Sequence, residues 1–252
     1  MTVVYVHGVP DTATVWDPLR SLLADHDDLA VRLPGFGTDS PAAFTATRFA
    51  YMNWLIGELD AIGEPVDLVG HDQGSVIAQG VIVTRPDLVR SWVLGGGVCA
   101  DDYLWHPQAR VWQTAELGEA SRDQLLALDP AARVQVLEAV GVPPGRADEV
   151  ATGIDRRMLD HILPLYRSEP FFGDWAFTAG TAYPPGLVLW GRDDPFQSAS
   201  FGRSAADIAA ADYLELDCGH WWQIERPEEV AAALTGHWNR AAATSADART
   251  TS

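Results

Sequence analysis

The sequence predicts an α/β fold, a doubly wound and mostly parallel sheet of about six strands interrupted by a helical insertion. Three observations carry that expectation. Short β-branched runs recur along the chain and end in glycine-rich turns. Segments of helical spacing lie between them, which is the alternation of a sheet covered by helices on both faces. One stretch, residues 100–179, breaks the alternation with helix-prone, aromatic-rich sequence and no convincing strand.

Taken in order, Val3-Val4-Tyr5-Val6 is continuously apolar and closes on His7-Gly8, as a parallel strand buried on both faces would. A helix is expected over Trp16 to Ala24, and a strand over Leu29-Ala30-Val31-Arg32-Leu33, closed by Pro34-Gly35. Thr47 to Ile62 reads as a helix, Val66-Asp67-Leu68-Val69 before Gly70 as a strand, and Ser75 to Arg85 as the helix after it. Ser91-Trp92-Val93-Leu94 before Gly95-Gly96-Gly97 is the next strand. Within the insertion, Ser121 to Leu128, Ala131 to Val140 and Ile154 to Arg167 are the expected helices. Leu187-Val188-Leu189-Trp190 before Gly191 and Tyr213-Leu214-Glu215-Leu216 before Asp217-Cys218-Gly219-His220 supply the last two strands. The closing helix, Pro227 to Ala242, carries Glu228 and Glu229 in its first turn, where the helix dipole favours acid. Residues 1–99 and 180–240 thus read as one core domain and 100–179 as the insertion, while 241–252, without apolar periodicity, read as a disordered tail.

With 252 residues, 47% of them hydrophobic, the chain can bury one large core. A formal charge of −18 repels phosphate backbones and anionic headgroups, which argues against nucleic-acid and membrane partners and for a small, apolar organic substrate. Cys99 and Cys218 form neither a CxxC pair nor a metal-ligand spacing, so no metal or other cofactor is expected. The start, MTVVYVHGVP, lacks a basic segment leading into an apolar one, and no run of about 18 apolar residues occurs. A cytoplasmic protein, monomeric or homodimeric, is the expectation.

The chemistry concentrates at Val66-Asp67-Leu68-Val69-Gly70-His71-Asp72-Gln73-Gly74-Ser75, which reads strand, sharp turn, helix, with a glycine two residues either side of Asp72. Such an elbow forces its central residue into a strained conformation and lifts the side chain into the cleft above the sheet. The sequence resembles the epoxide hydrolase and haloalkane dehalogenase branch of the α/β hydrolases, whose members carry Asp at the elbow and an HGxP motif after an early strand. His7-Gly8-Val9-Pro10 matches that motif. The likeness continues through Leu33-Pro34-Gly35-Phe36-Gly37, Trp190-Gly191-Arg192-Asp193-Asp194-Pro195 and Gly219-His220. It implies an α/β-hydrolase fold with a helical cap at 100–179, although the strands that usually precede HGxP are absent.

The resemblance implies Asp72 as nucleophile, Asp194 as triad acid and His220 as base, with backbone N–H groups of Val9 and Gln73 as the oxyanion hole. Asp193 is the adjacent alternative to Asp194, and the family's spacing from Gly191 selects Asp194. Ser75 is a rival nucleophile one residue beyond the elbow. A carboxylate suits displacement at an sp3 carbon better than ester hydrolysis, because attack on an acyl carbon would give an anhydride. Tyr166, in Leu163-Pro164-Leu165-Tyr166-Arg167, resembles the cap tyrosine that protonates an opening epoxide, and the family's first cap tyrosine has no clear match. Tyr103 is the one other tyrosine of the insertion. His7, Phe36, Tyr103, Trp105 and Trp221 are the candidates for contact with substrate. Dehalogenation is the alternative activity, against which stands Gln73 where the family's dehalogenases carry a halide-binding Trp. A non-catalytic ligand-binding protein on the same scaffold is a third reading.

Overall fold

The computed structural model describes residues 2–24, 26–100, 102–168 and 173–250, with side chains described as far as residue 243. The first half holds β1 (Thr2–Val6), α1 (Asp17–Ser21), β2 (Asp27–Ala30), α2 (Arg48–Ile62), β3 (Val66–His71), α3 (Gln73–Thr84) and β4 (Val89–Gly95). Five helices follow, α4 (Pro107–Gln113), α5 (Leu117–Ala127), α6 (Pro130–Ala139), α7 (Pro144–Gly153) and α8 (Arg156–Arg167). The chain then returns to the sheet through β5 (Gly186–Gly191), α9 (Ala199–Ala209), β6 (Asp212–Leu216), α10 (Trp222–Glu225) and α11 (Pro227–Thr250).

All neighbouring strands pair in parallel, in the order β2-β1-β3-β4-β5-β6. Every residue of β3 and β5 is buried, as continuous apolar runs in a sheet covered on both faces require. Trp16, Trp92, Trp190 and Trp222 are the largest wholly buried side chains. Strand order reverses direction between β1 and β3, and the crevice above their carboxyl ends is where such sheets bind ligands. Val9, Pro10 and Asp72 open onto it.

Three expectations are corrected. The second strand occupies Asp27–Ala30, not Leu29–Leu33, because the ladder ends where the Leu33 N–H turns to the His7 ring at 3.3 Å. At its other end, Asp28 tolerates a strand position through a bidentate contact with Arg20, both bonds 2.8 Å. The insertion holds five helices instead of three, since Pro107, Pro130 and Pro144 each start a first turn and Asp155 caps α8 through the Met158 N–H at 2.7 Å. Helix α11 runs past residue 241 to Thr250, where a tail was expected. The alanine-rich segment has the backbone propensity for helix even without an apolar face. Among the described residues no helix is long and apolar enough to cross a membrane.

Candidate active site

Asp72 stands between the last residue of β3 and the first of α3, with φ 53° and ψ −125°. That region is costly for any residue with a Cβ, by about 1–3 kcal/mol. The turn is held by the Asp72 N–H donating to the Gly95 carbonyl at 3.0 Å, and by the Ser75 hydroxyl. Ser75 donates to the Gly70 carbonyl at 3.0 Å and accepts from the Gly95 N–H at 2.7 Å. Both capacities of that buried hydroxyl serve the elbow, which removes it as a rival nucleophile. A Cβ on Gly70 would lie 2.7 Å from the Ser75 Cα, and one on Gly74 would collide with the Val6 carbonyl. The tight turn therefore needs glycine on each side.

The Asp72 carboxylate is divided between two partners. Its Oδ1 accepts from the Val9 N–H at 2.7 Å, and its Oδ2 lies 3.6 Å from His220 Nε2. On the other side of the imidazole, His220 Nδ1 donates to Asp194 Oδ2 at 2.7 Å. Asp194 is wholly buried and its Oδ1 accepts from the Phe196 and Gln197 N–H groups at 2.8 and 3.3 Å. Asp193 is exposed, so the geometry favours Asp194 as the partner of the histidine. Burial opposes charge on His220, but Asp194 and then Asp72 outweigh it and push its pKa up to about 10. Burial likewise works against the Asp72 carboxylate, which His220 and the Val9 N–H nevertheless hold below the usual range.

A cavity of about 540 Å³ opens from Asp72 and His220 under the insertion, walled by Trp112, Leu125, Leu159, Ile162, Tyr166 and Trp221 among others. Beside Asp72 a recess of about 20 Å³ is lined by Gln73, Tyr103, Trp105, His106 and Tyr166. Tyr166 borders both, its ring packed on Trp105 and Trp112 at 5.2 and 4.9 Å. The Tyr103 hydroxyl donates to the Phe196 carbonyl at 3.0 Å. Trp221 packs edge-on to His220 at 4.8 Å while its indole N–H donates to Asp11 Oδ2 at 2.8 Å. The same buried Asp11 binds Arg146 of α7 at 3.1 Å, so one carboxylate ties the insertion to the wall of the cavity.

Two expected substrate contacts do not reach the cavity. His7 is wholly buried, its Nδ1–H donating to the Gly8 carbonyl at 2.8 Å and its Nε2 accepting from the Leu33 N–H. Phe36 is also wholly buried and packs edge-on to His7 and Tyr51 at 5.7 and 6.2 Å. Both residues fix the loops behind the site. His71, His106, Asp11, Arg146 and Phe196 belong to the site region without having been singled out in the sequence. His71 had a readable signal in its place beside Asp72: its Nε2–H donates to the His220 carbonyl at 2.9 Å, steadying the loop that carries the base. Asp11 and Arg146 had none, being 135 residues apart.

His7 and His71 give stability a pH dependence. Burial is the main cause that lowers the first to about 4 and the second to about 3. Unfolded imidazoles take a proton near pH 6.5, whereas these folded ones refuse it until the lower values. Their contribution is complete above pH 6.5 and drains as pH falls, each by about 1.4 kcal/mol per unit. Urea unfolding is expected to show a loss between pH 6.5 and 5 in which these two rings account for on the order of 3 kcal/mol, with His106 and His237, each lowered by burial to about 4, adding to it. A flat profile there would contradict the neutral, buried assignment of both rings.

The family model for the alpha/beta hydrolase family matches residues 3–233. This chain belongs to that family. The hydrolase is 35% identical over 238 residues to the (E)-2-((N-methylformamido)methylene)succinate hydrolase of Acinetobacter baylyi, covering 92% of this chain and 88% of the relative. It is 28% identical to epoxide hydrolase A of Mycobacterium tuberculosis, again over 92% and 88% of the two chains. Among solved structures, a haloalkane dehalogenase from Bradyrhizobium elkani superposes with a TM-score of 0.78 at 23% identity, over 96% of this chain and 91% of that one. The chain is thus an enzyme of the hydrolase class on the α/β-hydrolase fold.

Proposed function

We propose that this hydrolase attacks carbon with Asp72, forms an alkyl ester on that residue, and opens a small apolar epoxide to a diol. The observation that carries the reading is the division of the Asp72 carboxylate. One oxygen is held by the Val9 N–H, which leaves the other for attack beside His220. In the first step Oδ2 bonds to an epoxide carbon and the carbon–oxygen bond breaks toward the oxygen, which takes a proton from the Tyr166 hydroxyl. In the second, His220 removes a proton from water, whose oxygen bonds to the Asp72 carboxyl carbon. The negative charge then develops on Oδ1, where the N–H groups of Val9 and Gln73 receive it. Collapse restores the carboxylate and releases the diol, and the proton on His220 returns to Tyr166.

The charge of the site suits this sequence. Esterification removes the negative charge of Asp72, so His220 loses one of the two groups that raise its pKa and is more fully in the neutral form that the hydrolytic step needs. The apolar cavity suits an uncharged ligand. Two free buried thiols, Cys99 and Cys218, accord with work in the reducing cytoplasm.

One turnover in 18O-water with enzyme in excess over styrene oxide is expected to leave label in the Asp72 carboxylate, read by mass spectrometry of the peptide. Label found only in the diol would exclude the ester. Halide release from small haloalkanes, without diol formation from epoxides, would move the assignment to dehalogenation with the same triad. Tight ligand binding with no turnover would favour the binding protein.

A further inference from the structure

We propose that His106 is the second hydrogen-bond donor to the oxygen that Asp72 displaces, a place that the insertion's other tyrosine, Tyr103, does not fill. The inference rests on the alkyl-ester reading above. His106 is the N-cap of α4, and its Nδ1 accepts from the Ala109 N–H at 3.3 Å. A neutral imidazole that accepts at one nitrogen carries its proton on the other. The proton is therefore on Nε2, the side of the ring away from the helix start. The ring borders both the large cavity and the small recess next to Asp72. It packs edge-on to Phe196 at 5.0 Å, and Phe196 packs the same way on His220 at 4.8 Å, so the donor is held by a cap on one side and an aromatic wall on the other.

Tyr103 does not compete for the role, since its hydroxyl is committed to the Phe196 carbonyl. Burial keeps the His106 ring neutral, its pKa lowered to about 4 although Asp72 pulls the other way. A neutral N–H stabilises a developing alkoxide without forming an ion pair that would quench the nucleophile, which an imidazolium at this place would do. In the step itself Asp72 Oδ2 bonds to carbon, the carbon–oxygen electron pair passes to the epoxide oxygen, and the proton that makes the alcohol comes from Tyr166. His106 Nε2–H donates a hydrogen bond to that oxygen and keeps its proton.

The test measures the single-turnover rate at which styrene oxide alkylates Asp72 in a His220→Gln background, where the ester persists. His106→Asn keeps a good helix cap but withdraws the donor from the cavity, and His106→Phe keeps the bulk without the donor. Each is expected to slow ester formation by on the order of 10²-fold, and to lower the ratio of styrene oxide to alkyl iodide reactivity, because iodide leaves without such help. Unchanged rates in His106→Asn overturn the assignment. So does a 15N spectrum of the wild-type protein that places the His106 proton on Nδ1. If the His220→Gln protein forms no ester while His106 is protonated at Nε2, it is the Asp72 reading that fails, and the donor role falls with it.

Discussion

Asp72→Ala is expected to abolish turnover, by on the order of 10⁵-fold or more, because no other group can form the bond to carbon. Ser75 is one residue away from sharing the turn, but its hydroxyl is fixed between Gly70 and Gly95 and does not enter the cavity. The same variant should leave His220 with Asp194 alone, so its pKa, followed by NMR, is expected below the value of about 10 in the intact site. A second comparison isolates the backbone. Asp72→Gly removes the same carboxylate but also the Cβ that makes φ 53° costly. It should therefore be more stable than Asp72→Ala by about 1 kcal/mol, after allowing for the greater freedom of glycine in the unfolded chain. Turnover persisting in either variant would remove Asp72 from the mechanism.

His220→Gln separates the two halves of the reaction and has the next largest expected effect. The nucleophile remains, Val9 still holds Oδ1, and the cavity is unchanged, so alkylation of Asp72 proceeds. Hydrolysis loses its base and should slow by on the order of 10³-fold or more. Incubation with styrene oxide is then expected to add one substrate mass to the Asp72 peptide in near-stoichiometric amount. A variant that is inactive and carries no added mass would count against the Asp72 ester itself. In the wild-type protein the acid limb of kcat should report His220 within the ester, where Asp72 no longer supports its proton, and should therefore fall well below pH 10.

What was legible in the sequence was what lies close together along it. The elbow is a run of five residues from Gly70 to Gly74, and the strain it predicts is present at Asp72. The order of Asp72, Asp194 and His220 follows from three strands ending in the same crevice, each recognisable from a short apolar run. Polar commitments made across the fold were not legible. His7 opens the HGxP loop and resembles a pocket residue, yet both of its nitrogens are spent on backbone, one of them 26 residues away at Leu33. Phe36 follows a turn over the cleft but is drawn inward between His7 and Tyr51. His106 precedes a proline and reads as a simple helix start, and only the fold places it on the border of both the cavity and the recess beside Asp72. Phe171 and Phe172, two of the aromatics that make residues 100–179 aromatic-rich, lie outside the described residues.

The two rims of the sheet carry the same sign. On one side β2 is four residues long and begins Asp27-Asp28, and on the other β6 offers Asp212 and Glu215. Several of these acids are matched by arginines of their own molecule, Arg20 for Asp28, Arg203 for Glu215 and Arg240 for Asp212. A neighbouring copy that tried to add its outer strand to either rim would bring carboxylate against carboxylate and would have to strip those arginines away, on a chain whose formal charge is already −18. Both rims of this sheet are therefore guarded by repulsion instead of by cover, and that shield weakens as salt is added.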